Sequence, residues 1–414
     1  MHDRTVLGTA DVSDEQLADF VGRLLHLHPQ DELVLLESWA EVAPYDLDAL
    51  TTAGRFWVRG RAATATDDRP FAFFVKIVQS WSRSPVFALV PEDQRAQALA
   101  ALPWQVEPAV YRSDLAGALP PGLSMPRVFA VVDLDEASAA LWLEAVDCDP
   151  SSWDEDRIVR AAHALGRLAG RADVRRVAGT ASRVGQHTVR GYAEGRVAHQ
   201  VLPALRSDVW AHPLVAASFD AVLRERLLAA AGGLSAAVDE LEEAPLAAAH
   251  GDACSRNLLV APDGPGFVLI DFGFFGLAPV GFDLGQLLVG EVQLGDRSAE
   301  CLPALEARCL PAYADGLRAE GSDVDLEVLR RAHALQLLVF SGLSALPFEH
   351  LGAPPTPELH NLARQRAHSA AFILDLVDAT AWLPAVEVLA TSWLQPTGAV
   401  FEDALICRDA PHIL

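Results

Sequence analysis

The sequence is poor in basic residues. Its 56 aspartates and glutamates face only 32 lysines and arginines, which gives a formal net charge of −24. A nucleic-acid partner requires a basic face that neutralises phosphates, so this charge argues against such a partner. The charge is compatible with a cationic small-molecule ligand, but a solvated acidic surface is the simpler explanation.

Cysteines and long apolar runs are also scarce. The five cysteines are scattered and form no Cys-x-x-Cys pair, which indicates neither a disulfide framework nor a zinc site and fits a reducing cytoplasm. Residues 1–15 contain no apolar segment typical of a signal peptide. The longest apolar stretches, such as Ala334–Phe340, are too short to span a bilayer. We therefore expect a cytoplasmic protein with no membrane segment.

Lysine occurs once, as Lys76. It lies within the apolar run Phe71–Val78, which predicts a strand. A lysine inside an apolar strand is costly unless it has a charged partner. Two interpretations remain open: a functional lysine, and a lysine on an edge strand whose amine reaches solvent. The absence of any other lysine favours the first.

Most of the polar groups that suggest chemistry lie between residues 250 and 271. Two short apolar runs, Asn257–Ala261 and Phe267–Ile270, are joined by a turn rich in proline and glycine and predict a hairpin. This hairpin would bring Asn257 and Asp271 side by side, with Asp252 on the preceding loop. Phosphoryl transfer from a nucleotide requires such a set: one carboxylate to accept a hydroxyl proton, and an amide and a second carboxylate to hold Mg²⁺.

The segment His250-Gly251-Asp252 with Asn257, followed by Asp271-Phe272-Gly273, resembles the motifs of aminoglycoside phosphotransferase-like small-molecule kinases, which are relatives of the protein kinases. The resemblance implies that Asp252 orients the acceptor hydroxyl and takes its proton. It implies that Asn257 and Asp271 ligate Mg²⁺ and that His250 positions the loop by hydrogen bonding. The expected cofactors are ATP, or GTP, and Mg²⁺.

The resemblance also implies roles for residues nearer the N-terminus. Kinase-like folds use a strand lysine to hold the nucleotide phosphates and to pair with a helix glutamate, which assigns these roles to Lys76. Glu107, in the first turn of a predicted helix, is the preferred partner, and Glu92 is the alternative. The loop that covers the nucleotide has no complete G-x-G-x-x-G motif, and Gly54 flanks the strand that follows it.

The order of predicted elements fits the same resemblance. We expect an α+β, two-lobed protein-kinase-like fold, with a five-stranded antiparallel N-lobe at residues 1–146 that binds the nucleotide. A mostly helical C-lobe at residues 147–414 would carry the catalytic hairpin and the acceptor site. In this family the crossover between lobes is the hinge, which implies that Glu144, Ala145 and Val146 contact the adenine through their backbone groups.

Several residues close to the motif are expected to lie outside the chemistry. Cys254 is expected to be a small packed residue, because no histidine–thiolate arrangement is evident. Asp283, at the start of a helix, is expected to support the catalytic loop from below. Arg256 could reach the transferring phosphate or point to solvent. Candidate acceptor-site residues, chosen by position alone, are Glu291, Glu349 and His350.

Two functions from different classes follow from this sequence. The first is a small-molecule kinase that acts on an aminoglycoside-, sugar- or amino-alcohol-like acceptor. The second is a nucleotide-binding pseudokinase that serves as a regulatory or scaffold module. A degenerate kinase usually loses one of the polar groups that the chemistry requires. All four of these groups, Lys76, Asp252, Asn257 and Asp271, are present here, which favours activity. The sequence does not indicate an oligomeric state.

Overall fold

A computed structural model describes residues 2–381 apart from 29, 45–49, 66, 148–152, 186–187, 261–263 and 265. Most of the predicted hinge after residue 147 lies outside the described residues. So do most of the turn at residues 262–265 and nearly all of residues 380–414, to which the sequence assigns no structure.

The N-terminal part of the chain is built around one sheet. Its six strands are β1 His2–Asp3, β2 Val34–Val42, β3 Thr52–Ala63, β4 Asp68–Gln79, β6 Val128–Asp135 and β7 Ser138–Glu144. The short strand β5 Leu123–Ser124 belongs to a different sheet. The sheet order is β1-β2-β3-β4-β7-β6. All neighbours pair antiparallel except β1 and β2, which are parallel. The central position of β4 fixes where its side chains can point.

The predicted number of strands is wrong by one. The sheet has six strands, because His2 and Asp3 pair with Ser38 and Trp39 at its edge. A strand of two residues has no alternation of apolar and polar positions, so periodicity cannot reveal it. Arg4 anchors this segment: its buried guanidinium donates to Ser38 and to carboxylates of the following turn and helix.

The remaining described chain is mostly helical. The α-helices are α1 Asp14–Leu24, α2 Arg95–Ala101, α3 Val106–Arg112, α4 Leu115–Ala118, α5 Glu155–Gly170, α6 Ala172–Val184, α7 Val189–Tyr192, α8 Leu202–Arg206, α9 Pro213–Ala216, α10 Ala221–Gly232, α11 Leu234–Glu243, α12 Phe282–Leu294, α13 Leu302–Ala319, α14 Leu326–Leu337 and α15 Pro357–Thr380. Among the described residues, no helix is both long and apolar enough to cross a membrane.

Two apolar cores lie on opposite faces of the sheet. On one face, Phe73, Val75 and Trp142 pack against α1 through Phe20. On the other face, Val78 and Leu141 join the large core of the helical part. This division follows from the strand period of two, since successive residues of β4 and β7 point to opposite faces.

The helical core depends on a close crossing of α5 and α13. A Cβ added to Gly166 would lie 2.1 Å from the carbonyl oxygen of Tyr313, and one added to Gly316 would lie 2.2 Å from that of His163. Both positions therefore require glycine. Asp154 caps α5 by accepting a hydrogen bond from the backbone N–H of Arg157 at 2.7 Å.

Two small sheets position the loops of the predicted catalytic segment. One contains the hairpin of β9 Leu258–Val260 and β10 Phe267–Leu269, with β5 parallel to β10. The other pairs β8 Leu246–Ala249 with β11 Gly276–Pro279. As a result, the loop at residues 250–257 and the loop at residues 270–275 lie next to each other.

Candidate active site

Lys76 lies at the centre of a cluster of charges. It is on the internal strand β4 and is 5% exposed, so the edge-strand interpretation is wrong. Its Nζ lies 2.7 Å from Oε2 of Glu107 on α3 and 2.9 Å from Oδ1 of Asp271. Glu107 is buried, whereas the alternative partner Glu92 is exposed. Lys76 therefore joins the sheet, α3 and the loop after β10.

The electrostatics of this cluster favour the charged forms of Lys76 and Asp271. Burial lowers the pKa of Lys76, but the charges of Asp271 and Glu107 outweigh it, and the pKa is raised. Burial raises the pKa of Asp271, but the charge and hydrogen bond of Lys76 outweigh it, and the pKa is lowered. The burial of Glu107 is only partly offset by Lys76, so its pKa is raised. Asp271 is thus held as a carboxylate that can bind a cation.

The loop before Asp252 is fixed from below by Asp283. The backbone N–H groups of His250 and Gly251 donate to the two oxygens of the buried Asp283 carboxylate, at 2.8 and 2.9 Å. Gly251 has φ 87°, and an added Cβ would lie 2.2 Å from the carbonyl oxygen of Phe274, so only glycine fits there. Asp283 thereby holds the loop, as expected from the resemblance.

His250 is a neutral ring that aligns two segments. Its Nε2–H donates to the carbonyl of Ile270 at 2.9 Å, and its Nδ1 accepts from the backbone N–H of Asp252 at 3.3 Å. This assignment follows because a carbonyl can only accept. Complete burial lowers the pKa of His250 to about 4. His250 is therefore suited to positioning the loop and not to carrying a charge.

Asp252 has the properties of a proton acceptor. The amide of Asn257 donates to the Oδ2 of Asp252 and to its backbone carbonyl, both at 2.9 Å. The side chain of Gln286 on α12 also lies close enough to the carboxylate to lower its pKa. Burial is the main cause that raises the pKa of Asp252 to about 7, and repulsion from Asp271 is the second. A carboxylate with a pKa near neutrality can both accept and release a proton under cellular conditions.

The oxygen donors of Asn257 and Asp271 suit a hard divalent cation. The backbone N–H of Ile270 donates to the carbonyl of Asn257 at 3.0 Å, so Asn257 lies across the hairpin from the residue that precedes Asp271. The repulsion between the carboxylates of Asp252 and Asp271 would be relieved by a cation between them. The described residues contain no group of three or more His, Cys, Asp or Glu side chains able to hold a metal. Mg²⁺ fits this sparse set, because it retains water and phosphate ligands.

Asp271 has an uncommon backbone conformation, with φ 63°. For a residue other than glycine this conformation is strained, and such strain clusters at functional sites. The following Phe272 is fully buried and packs against His250 and against Tyr111 of α3, with ring centroids 5.1 and 5.7 Å apart. The segment is therefore anchored to α3 at two points. Phe272 contacts Tyr111 directly, and Asp271 is linked to Glu107 through Lys76.

The other residues predicted to bind the nucleotide, Glu144, Val146 and Gly54, lie outside the charged cluster. The Glu144 carboxylate accepts from the backbone N–H of Arg127 at 3.2 Å, and the Glu144 N–H donates to the Arg127 carbonyl at 2.8 Å. Only the carbonyl of Glu144 could thus meet an adenine. Val146 follows β7 and is half-buried. Gly54 lies at a bulge in β3, where an added Cβ would lie 2.8 Å from the ring of Phe56.

Other residues near the motif are engaged elsewhere. Burial raises the pKa of the Cys254 thiol to about 12, in keeping with a packed residue. Arg256 is exposed and lies 3.2 Å from Asp296. The acceptor-site candidates have local partners: Glu291 pairs with Arg297 at 2.6 Å, and Glu349 pairs with Arg366 at 2.6 Å and His350 at 3.3 Å.

Sequence reasoning missed two polar residues at this site. Gln286 lies one helical turn after Asp283, and this i,i+3 spacing on α12 could have placed it beside the catalytic loop. Arg55 directly follows Gly54 and lies opposite Lys76 in the β3–β4 pairing. The register of the hairpin could have revealed it, but the strand ends were not predicted accurately enough.

The sheet, the helical part and the buried lysine–carboxylate cluster define a kinase-like protein. A family model described as the phosphotransferase enzyme family matches residues 109–321, about half of the chain. The chain belongs to this family. No curated protein matches the chain.

Several solved structures are similar to this chain. The amicoumacin kinase hAmiN in complex with AMP-PNP, Ca²⁺ and Ami has 13% identity and a TM-score of 0.46, over 88% of this chain and 94% of that chain. The GDP complex of aminoglycoside 2′-phosphotransferase-IIIa has 14% identity and a TM-score of 0.40, over 89% and 98%. An aminoglycoside phosphotransferase from Alicyclobacillus acidocaldarius has 16% identity and a TM-score of 0.43, over 82% and 92%. Because these TM-scores are below 0.5, the family assignment rests on the sequence match.

Proposed function

We propose that the protein transfers the γ-phosphoryl group of ATP or GTP, in the presence of Mg²⁺, to a hydroxyl of a small molecule. The observation that carries this proposal is the bridging position of Lys76, 2.7 Å from Glu107 and 2.9 Å from Asp271. This cluster connects the sheet to the loop of Asp271, which lies next to the loop of Asp252. In kinases of this type, a lysine–glutamate pair and a metal-binding aspartate must both be in place for transfer.

Each side chain has a distinct part in the proposed reaction. Lys76 holds the α- and β-phosphates, and Asn257 and Asp271 hold Mg²⁺, which supplies positive charge beside the transferring group. The Asp252 carboxylate orients the acceptor hydroxyl and accepts its proton. The hydroxyl oxygen forms a bond to the γ-phosphorus as the bond to the β–γ bridging oxygen breaks, and a nucleoside diphosphate leaves.

The division of labour follows the two lobes. We assign nucleotide binding to residues 1–146, with Gly54 close to the phosphates and the backbone of Glu144 and Val146 at the adenine. Residues 147–414 would carry the catalytic hairpin and the acceptor site. Gln286 is a candidate contact for the acceptor, since its side chain on α12 lies near Asp252.

The acceptor class is a small hydroxylated compound related to an aminoglycoside, a sugar or an amino alcohol. The net charge of −24 is compatible with a cationic acceptor. Glu291 and Glu349 are weak candidates for binding its cations, because each already pairs with an arginine. The proposed compartment is the cytoplasm, which is supported by the free thiols of Cys254, Cys301 and Cys309.

The test combines nucleotide binding with turnover. Calorimetry with ATP, GTP and ADP, with and without Mg²⁺, measures binding. Turnover is measured across a panel of alcohols, sugars and aminoglycosides. Asp252→Asn is expected to bind nucleotide like the wild type and to lose turnover by about 100-fold or more, because proton transfer contributes on this scale.

The matched control is Asp323→Asn, which changes an exposed carboxylate away from the site and should leave turnover unchanged. Undiminished transfer by Asp252→Asn would contradict the role of Asp252. Nucleotide binding without turnover across the whole panel would favour the pseudokinase.

A further inference from the structure

Arg55 lies beside Lys76 on the same face of the sheet. The two residues are direct partners in the antiparallel pairing of β3 and β4. Directly opposed side chains in such a pairing point to the same face, with Cβ atoms about 5 Å apart. Arg55 is half-buried. A second cation therefore rises from the sheet next to the only lysine of the chain.

The charge of Arg55 reaches the same carboxylates that bind Lys76. The pKa of Glu107 is raised by burial, and Arg55 opposes this rise together with Lys76. The pKa of Asp271 is likewise raised by burial and lowered by Lys76, with Arg55 adding to the lowering. Arg55 is thus part of the electrostatic cluster, although neither the motif nor the family resemblance assigns it a role.

The cluster of Lys76, Glu107 and Asp271 has a net negative charge that Arg55 can offset. Lys76 carries one positive charge and is shared between Glu107 and Asp271, so the three groups together are negative. A nucleotide polyphosphate brings further negative charge to this place. The covering loop has no complete G-x-G-x-x-G motif, so it lacks the glycines that let backbone N–H groups approach phosphates closely.

We propose that Arg55 is a second phosphate-binding residue of the nucleotide site and that it acts together with Lys76. The guanidinium is planar and can donate two parallel hydrogen bonds to one phosphate group, which an ammonium cannot do. Arg55 thereby contributes affinity for the phosphates of the nucleotide and none for its base. This inference rests on the proposed nucleotide-dependent function.

The competing explanation is that Arg55 only neutralises Glu107 and Asp271. In that case its loss would disturb the position of Lys76 and the stability of the apo protein, with no separate effect on phosphate recognition. The two explanations differ in one measurable respect. A phosphate ligand distinguishes ADP from adenosine, whereas a purely structural residue alters the site for both.

The experiment measures the Kd of ADP and of adenosine by calorimetry for the wild type, Arg55→Gln and Arg55→Lys. Arg55→Gln should weaken ADP binding by about 10- to 100-fold, the usual range for a lost hydrogen bond to a charged group. Its affinity for adenosine should stay within about twofold of the wild type, since adenosine has no phosphate. Arg55→Lys should retain part of the ADP affinity, because it keeps the charge without the planar fork.

Arg61→Gln is the matched control. Arg61 lies on the same strand and the same face but is exposed and pairs with Asp68 at 3.4 Å. It should bind ADP like the wild type. Thermal unfolding of each apo variant monitors the fold.

Unchanged ADP affinity in Arg55→Gln would overturn the inference. An equal loss of affinity for ADP and for adenosine would also overturn it, in favour of the structural role. The same conclusion would follow if the unfolding midpoint falls in Arg55→Gln and recovers in Arg55→Lys while the ADP affinity does not recover. A wild-type protein that binds no nucleotide at all would refute the proposed function itself. That outcome is distinguishable because it requires no variant.

Discussion

Replacing Asp252 by Asn should stabilise the protein at alkaline pH. Burial and repulsion from Asp271 raise the pKa of this carboxyl from 3.8 to about 7. Because the folded state keeps a proton that the unfolded chain has lost, stability from this group is present below pH 3.8 and is lost as pH rises through 7. Each pKa unit corresponds to 1.36 kcal/mol, so the ionised group costs up to about 4 kcal/mol above pH 7.

The assay is urea denaturation of wild type and Asp252→Asn between pH 5 and pH 8. The free energy of unfolding of the variant minus that of the wild type should increase from pH 5 to about pH 7 and then level off, and the gain at pH 8 should be about 1 to 4 kcal/mol. Other buried groups, such as His250 and Asp283, titrate in both proteins and largely cancel in the difference. Asn can still accept the hydrogen bond from Asn257, so the local geometry is kept.

A difference that does not depend on pH would refute the reasoning, as would a variant less stable than the wild type at pH 8. The control Asp323→Asn changes an exposed carboxylate and should give a difference near zero at every pH. A stabilised variant that is also inactive would identify Asp252 as a residue whose burial costs stability and serves function.

Two further substitutions test the support of the site. Lys76→Met should destabilise the protein by about 3 to 5 kcal/mol in urea denaturation, because Glu107 and Asp271 lose their shared buried cation. Adding Glu107→Leu should recover part of the stability but should not restore nucleotide binding. A Lys76→Met variant as stable as the wild type would contradict the buried cluster. Asp283→Asn should cost about 1 to 3 kcal/mol, because one of two backbone N–H donors loses its acceptor. It should lower kcat with little change in nucleotide Kd, and a loss confined to nucleotide binding would argue against its role under the loop.

Much of the site could be predicted from the sequence because its signals are local or unique. Asp252 and Asn257 lie five residues apart in one loop, and the following hairpin has clear strand and turn residues. Lys76 stands out because no other lysine exists. The pairing of Lys76 with Glu107 could be anticipated only through the resemblance, since it joins a strand and a helix 31 residues apart.

The features that were missed depend on contacts between distant segments. The edge strand β1 is two residues long and is held by Arg4, whose hydrogen bonds reach Ser38. The position of Arg55 opposite Lys76 depends on a strand register that includes a bulge near Gly54. Periodicity does not encode either feature, because a bulge shifts which residues face each other.

The most direct test of the central claim is to identify the product. Wild-type protein, ATP, Mg²⁺ and the acceptor panel are followed by ³¹P NMR. The account predicts a new phosphomonoester signal that grows with ADP for at least one acceptor, requires Mg²⁺ and forms about 100-fold or more slowly with Asp252→Asn. A phosphomonoester that forms equally well with Asp252→Asn, or nucleotide binding with no phosphomonoester for any acceptor, would contradict it.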